Sequence, residues 1–157
     1  MLLQSKIDEL ILDIQRLLPS YGHSPFTIIS YVKDQIDSVD AKSPVSVVHL
    51  LFLVRLNFNK NDLEDYLLHT PSYLMVPDHL KPTYLIRFME KLKDQRQFVQ
   101  WQEQIASMGL GMALLLAANQ NLALRPCSIE PQVIDLELHL SSKNLRCLYA
   151  YVVYNKF

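Results

Sequence analysis

Glycine is scarce in this chain: three residues among 157, at Gly22, Gly109 and Gly111. A phosphate cradle made of backbone N–H groups needs several glycines in one turn, and no GxxxxGK[ST] occurs. Gly109 and Gly111 form a GxG, but Leu114 occupies the third glycine position and the preceding QEQIASM has helical character, which excludes the dinucleotide fingerprint. Cysteine is equally sparse. Cys127 and Cys147 stand twenty residues apart with no CxxC and no secretory pattern ahead of them, so the sequence predicts reduced thiols and a cytoplasmic setting. Neither sign of charge dominates, since 15 basic and 16 acidic residues leave a net charge of -1. That balance predicts neither nucleic acid nor membrane as a partner. The longest strongly apolar run, residues 105–118, is too short to cross a hydrocarbon layer of roughly 30 Å at ~1.5 Å per residue. The five histidines show no HExxH or paired spacing, which predicts no metal site, and no GxSxG elbow is present.

With 50% hydrophobic and 20% charged residues, the composition is that of one globular domain spanning residues 1–157. Apolar residues at Leu3, Ile7, Leu10, Ile11, Ile14, Leu17 and Leu18 trace one helical face, which Pro19 closes. FTIISYV (residues 26–32) and VSVVHLLFLVRL (residues 45–56) read as central strands. A short helix is predicted over residues 61–68 with Asn61 as its cap, and a proline-rich loop over 69–82. Helices are predicted over 83–93 and 97–121, a short one after Glu130-Pro131, and a last strand over 145–154. The 105–118 stretch lacks a polar face, so it should be covered on every side. Its small residues Ala106, Gly109, Ala113 and Ala117 would admit a second helix, with a self-crossing in a homodimer as one partner. Trp101 and Gln104 are candidates to line a pocket, but Trp101 is read as packing, Cys127 as an inert thiol and His49 as a hydrogen-bonded core histidine.

Four segments in sequence order carry a resemblance. Leu17-Leu18-Pro19-Ser20 leads through Ser24-Pro25-Phe26 into a strand; His49 opens an apolar strand. Trp101-Gln102-Glu103-Gln104 precedes Met108-Gly109 on a long helix, and Ser128-Ile129-Glu130 precedes Val133-Ile134-Asp135. Together they resemble the PSSxNxQPW segment, the SH strand, the W-x-x-x-Q-x-x-x-x-x-G helix and the PIEGF turn of the nitroreductase family of FMN-dependent NAD(P)H oxidoreductases. The resemblance implies an α+β fold, a three-layer sandwich with a central mixed β-sheet around a long buried helix. It implies a homodimer, since that fold places its pocket across the subunit boundary.

By the same resemblance, Ser20, His23 and Ser24 would face the flavin ring or its ribityl chain. Ile129 and Glu130 would lie over the ring, where main-chain N–H groups meet its developing charge. No catalytic side chain is assigned. The implied chemistry is hydride transfer from NAD(P)H through FMN to a nitro-aromatic or quinone. The chain departs from the family pattern at His23, which replaces its asparagine, and at Pro131, which replaces its glycine. It also shows no counterpart of the Arg-Arg-Ser-x-Arg opening or the later Lys/Arg groups that hold the FMN phosphate. Each charge-assisted phosphate bond contributes about 1.5–3 kcal/mol, so FMN binding is expected to be weakened by several powers of ten. The alternative is a flavin-free dimer serving as a structural or interaction module, and a pocket that takes riboflavin without its phosphate is a third possibility.

Overall fold

The apolar run after Pro44 becomes strand β2, Val45–Arg55, and it organises everything around it. The computed structural model describes residues 3–18, 21–35 and 45–156. Alternate side chains of a strand point to opposite faces, so a run without polar interruption needs cover on both. Val48, Leu50, Phe52 and Val54 face one way, where they meet helix α1, Leu3–Leu17, and the long helix α5, Gln95–Ala117. Leu51 and Leu53 face the other way and meet Ile134 of helix α6, Pro131–Glu137, with Leu140 and Cys147.

Among the described residues the sheet has four strands in the order β1-β2-β4-β3, with β1 at Phe26–Gln35, β3 at Leu122–Pro126 and β4 at Leu145–Asn155. Every pairing among the described residues is antiparallel. The mixed sheet implied by the resemblance is therefore corrected: short motifs place single strands but carry no information about their relative direction. β1 is also an edge strand rather than a central one, with Val32 exposed.

Asp94 starts α5, its carboxylate accepting hydrogen bonds from the N–H groups of Arg96 (2.8 Å) and Gln97 (3.3 Å). The helix ends in a 3-10 turn, and Asn121 at φ 54° turns the chain into β3. The helix that the small flank of α5 admits is α1 of the same chain. Ala106, Gly109, Ala113 and Ala117 are buried against the chain's own sheet and α1. A Cβ on Gly109 would stand 2.6 Å from the Phe26 ring, so only glycine admits that ring. Nor is α5 covered all round within one chain, since Met108 is 60% and Leu115 77% exposed.

Between β2 and α5 the chain builds a satellite of helices: α2, Lys60–Leu68; α3, Pro71–Leu74; and α4, Lys81–Lys91. The cap of α2 is Asn59, not Asn61: its side chain accepts from Asp62 N–H (3.0 Å) while Asp62 accepts from Asn59 N–H (2.9 Å). Residues expected as loop supply α3 and a 3-10 turn, because Pro71 and Pro77 sit where helix starts tolerate proline. Phe58, Tyr66, Phe88 and Phe98 surround Trp101, with ring centroids 5.5 to 6.3 Å from it. Trp101 is thus a packing residue, as the sequence suggests.

The Gly109 contact gives a direct test. Gly109→Ala should lose ~1–3 kcal/mol of unfolding free energy through overpacking, even though alanine is favoured over glycine in a helix by ~1 kcal/mol. Urea midpoints should show the loss shrinking in a Phe26→Leu background, where the ring is gone. A stabilised Gly109→Ala would contradict the packing described.

Candidate functional site

The residues expected to hold a flavin fall into two groups. Ser20 lies outside the described residues. His23 ends a 3-10 turn, Tyr21–His23, immediately before β1, and its ring stacks on His69 at the end of α2, with centroids 4.1 Å apart and planes 13° from parallel. His23 borders a cleft of about 170 Å³ that is also lined by Arg55, Asp62 and Asp65. Ser24 is only 1% exposed, and its Oγ accepts a hydrogen bond from Phe26 N–H (3.2 Å), so it closes the turn into β1.

The second group lies across the sheet. Ile129 packs against the Leu51, Leu53 and Ile134 cluster, and its N–H donates to Cys127 Sγ at 3.4 Å. Glu130 caps α6 through its backbone, the carbonyl accepting from Val133 N–H at 3.0 Å, while its exposed carboxylate makes no cap bond. Phe26, next to Ser24, belongs to the α1/α5 face, whereas Ile129 belongs to the α6 face. One protomer therefore keeps Ser24, which lies beside Phe26, Ile105 and Met108, and Ile129 on opposite sides of its own sheet. Gln104 sits apart from both, on an open cleft along α5 with Ser107, Met108 and Tyr149.

Beneath α6 lies a titratable cluster that the sequence did not reveal as such. Glu137 Oε1 pairs with Lys33 Nζ at 2.6 Å, and Tyr31 Oη donates to Glu137 Oε2 at 3.4 Å. Those bonds tie α6 to β1, and Asp135 ties it to β4 by accepting from Cys147 N–H at 2.7 Å. The Lys33 hydrogen bond holds the Glu137 carboxyl below its ordinary range, and the same bond raises the Lys33 ammonium. Burial, with a smaller push from Asp135, raises the Cys147 thiol to about 12, so it stays protonated and unreactive.

His49 stands opposite Tyr31 in the β1/β2 register and is 1% exposed. The expectation of a hydrogen-bonded core histidine is corrected: among the described residues neither ring nitrogen has a partner at hydrogen-bond geometry, although the nearby backbone of Tyr31 and Val47 favours the charged form. Burial therefore pushes its pKa down, and nearby Lys33 adds to the push. The strand pattern placed His49 inside, but the fate of its nitrogens depends on pairing partners that no local pattern specifies.

A neutral buried histidine makes the fold acid-sensitive. Below the unfolded value of 6.5 the unfolded chain takes up a proton that the folded chain refuses. Stability then falls as pH drops toward the lower folded value, with a slope of at most ~1.4 kcal/mol per pH unit. His49→Leu should abolish that slope between pH 6.5 and 5 while leaving stability at pH 7.5 unchanged or raised, because it removes an unsatisfied polar group. Urea midpoints across this range measure it, and an unaltered acid slope in His49→Leu would assign the sensitivity elsewhere.

No protein-family model and no curated protein sequence matches the chain. Among proteins of known structure, 21 chains match its fold. One is described as "putative nitroreductase ydfN" from Bacillus subtilis. It superposes with a TM-score of 0.63 at 12% sequence identity, over 99% of this chain and 79% of that one. A likeness at that identity is one of fold, and it gives this chain a nitroreductase-like α+β architecture.

Proposed function

We propose that this chain is a nitroreductase-type homodimer derived from FMN-dependent NAD(P)H oxidoreductases, with a weakened flavin site at the boundary between its subunits. The observation that carries the reading is the fold likeness over 99% of the chain. The arrangement of the candidate residues supports it: groups held on opposite faces of one sheet can meet only when a second copy supplies one of them. The exposed side of α5, with Met108 and Leu115, offers apolar surface for that second copy.

The candidate residues fit a flavin only in part. His23 and Glu130 are exposed, and the Glu130 N–H makes no bond within the described residues. Ser24 and the Ile129 N–H already have internal partners. None of the five is a guanidinium or ammonium, the groups that compensate a phosphate dianion for its lost hydration. The set suits the edge of an uncharged ring and does not suit a mononucleotide's phosphate, so no redox step is assigned to these residues. The internal use of Ser24 and Ile129 equally favours the second reading, a flavin-free dimer that serves as a structural or interaction module.

Sedimentation tests the dimer that both readings share, and flavin titration separates them. Sedimentation should show a dimer that Leu115→Glu converts to a folded monomer, since that side chain has no buried role within one chain; a monomeric parent protein would overturn the proposal. In flavin titrations, riboflavin and FMN should bind with equal, weak affinity, because each phosphate bond would otherwise favour FMN by roughly tenfold or more. A protein that binds neither supports the flavin-free module. One that purifies with stoichiometric FMN contradicts the weakened site.

A further inference from the structure

The satellite helices border a half-open cavity of about 550 Å³ between the start of α2, the end of α4 and the start of α5. Small-molecule sites span roughly 300–1,000 Å³ and combine an apolar wall with a few placed polar groups. Phe58, Met89 and Phe98 form the apolar wall here, and Ile86 lines the cavity while 61% exposed to solvent. The charged lining is unequal, with the ammoniums of Lys60 and Lys93 against the single carboxylate of Glu90. Neither lysine has an ion-pair partner among the described residues. The starts of α2 and α5 contribute no free N–H groups of note, since Asn59 and Asp94 cap them.

An apolar wall with an excess of unpaired positive charge complements a molecule that has an apolar body and one anionic end. A neutral apolar ligand would leave the lysines unused, and a dianion would meet Glu90. We propose that this cavity binds an amphipathic monocarboxylate, its alkyl body against Phe58, Met89 and Phe98 and its carboxylate between Lys60 and Lys93. Phe58 is the one lining residue shared with the cleft beside His23, so the proposal is independent of the flavin reading.

The chain carries its own reporter. Its single tryptophan, Trp101, lies 6.3 Å from the Phe58 ring and 5.9 Å from the Phe98 ring, centroid to centroid. Titration of the full chain with decanoate should change Trp101 emission saturably. The exposed double substitution Lys60→Gln/Lys93→Gln should weaken decanoate at least about tenfold, the scale of one charge-assisted bond, while 1-decanol titrates equally in both proteins. Ile86→Glu, also at an exposed position, should weaken decanoate in the same way with the ligand-free emission spectrum unchanged. No saturable change with decanoate overturns the proposal, including the case in which a second copy fills the cavity. Undiminished decanoate affinity in the double variant also overturns it.

Discussion

Burial of β2 on both faces is the constraint from which the rest of the structure follows. Leu50, Leu51, Phe52 and Leu53 are all fully buried, so consecutive side chains demand cover on opposite sides. At about 25 cal/mol per Å² of apolar surface, leaving either face open would forfeit several kcal/mol per pair of leucines. Helices α1 and α5 answer on one side and α6 on the other. Any residue attached to those helices or to the turns before them inherits a side of the sheet. That is why the His23–Ser24 turn and the Ile129–Glu130 turn, near the two covering layers, are kept apart within one chain.

The covering layers are held differently. On the α5 side the fit is steric, with small residues letting the helix approach and Gly109 receiving the Phe26 ring. On the α6 side an apolar contact of Ile134 and Leu140 with Leu51 and Leu53 is supplemented by polar ties, Asp135 to the Cys147 backbone and Glu137 to Lys33 and Tyr31. Exposed ion pairs such as Lys33–Glu137 contribute little individually. Their role here is to set the register of a seven-residue helix too short to hold itself. His49 beneath them, unpartnered and uncharged, is the weak point of that layer in acid.

Much of the fold was legible in the sequence where the pattern is long. The stripe of α1, the run of β2, the length of α5 and the proline that starts α6 each place an element to within a few residues. Four short motifs in order were enough to suggest the fold that the structural likeness bears out at 12% identity. Short elements escaped. β3 has five residues and exists because β4 pairs with it, and α3 was hidden by prolines that served as starts rather than breaks. Asn59 caps α2 in place of Asn61 because its partner Asp62 stands three residues ahead, as a capping box requires. The candidate site was legible as residues but not as commitments: local pattern does not show that Ser24 Oγ serves Phe26 or that Ile129 N–H serves Cys127.

The sheet places the two candidate turns on different layers of one chain, and the proposed dimer would bring them together. Energy transfer between labelled populations tests it most directly, with a donor at position 23 in one population and an acceptor at position 130 in the other. After mixing and subunit exchange, the account predicts stronger transfer between chains than within a single doubly labelled chain diluted among unlabelled partners. Transfer that is stronger within the single chain, or absent on mixing, would contradict it.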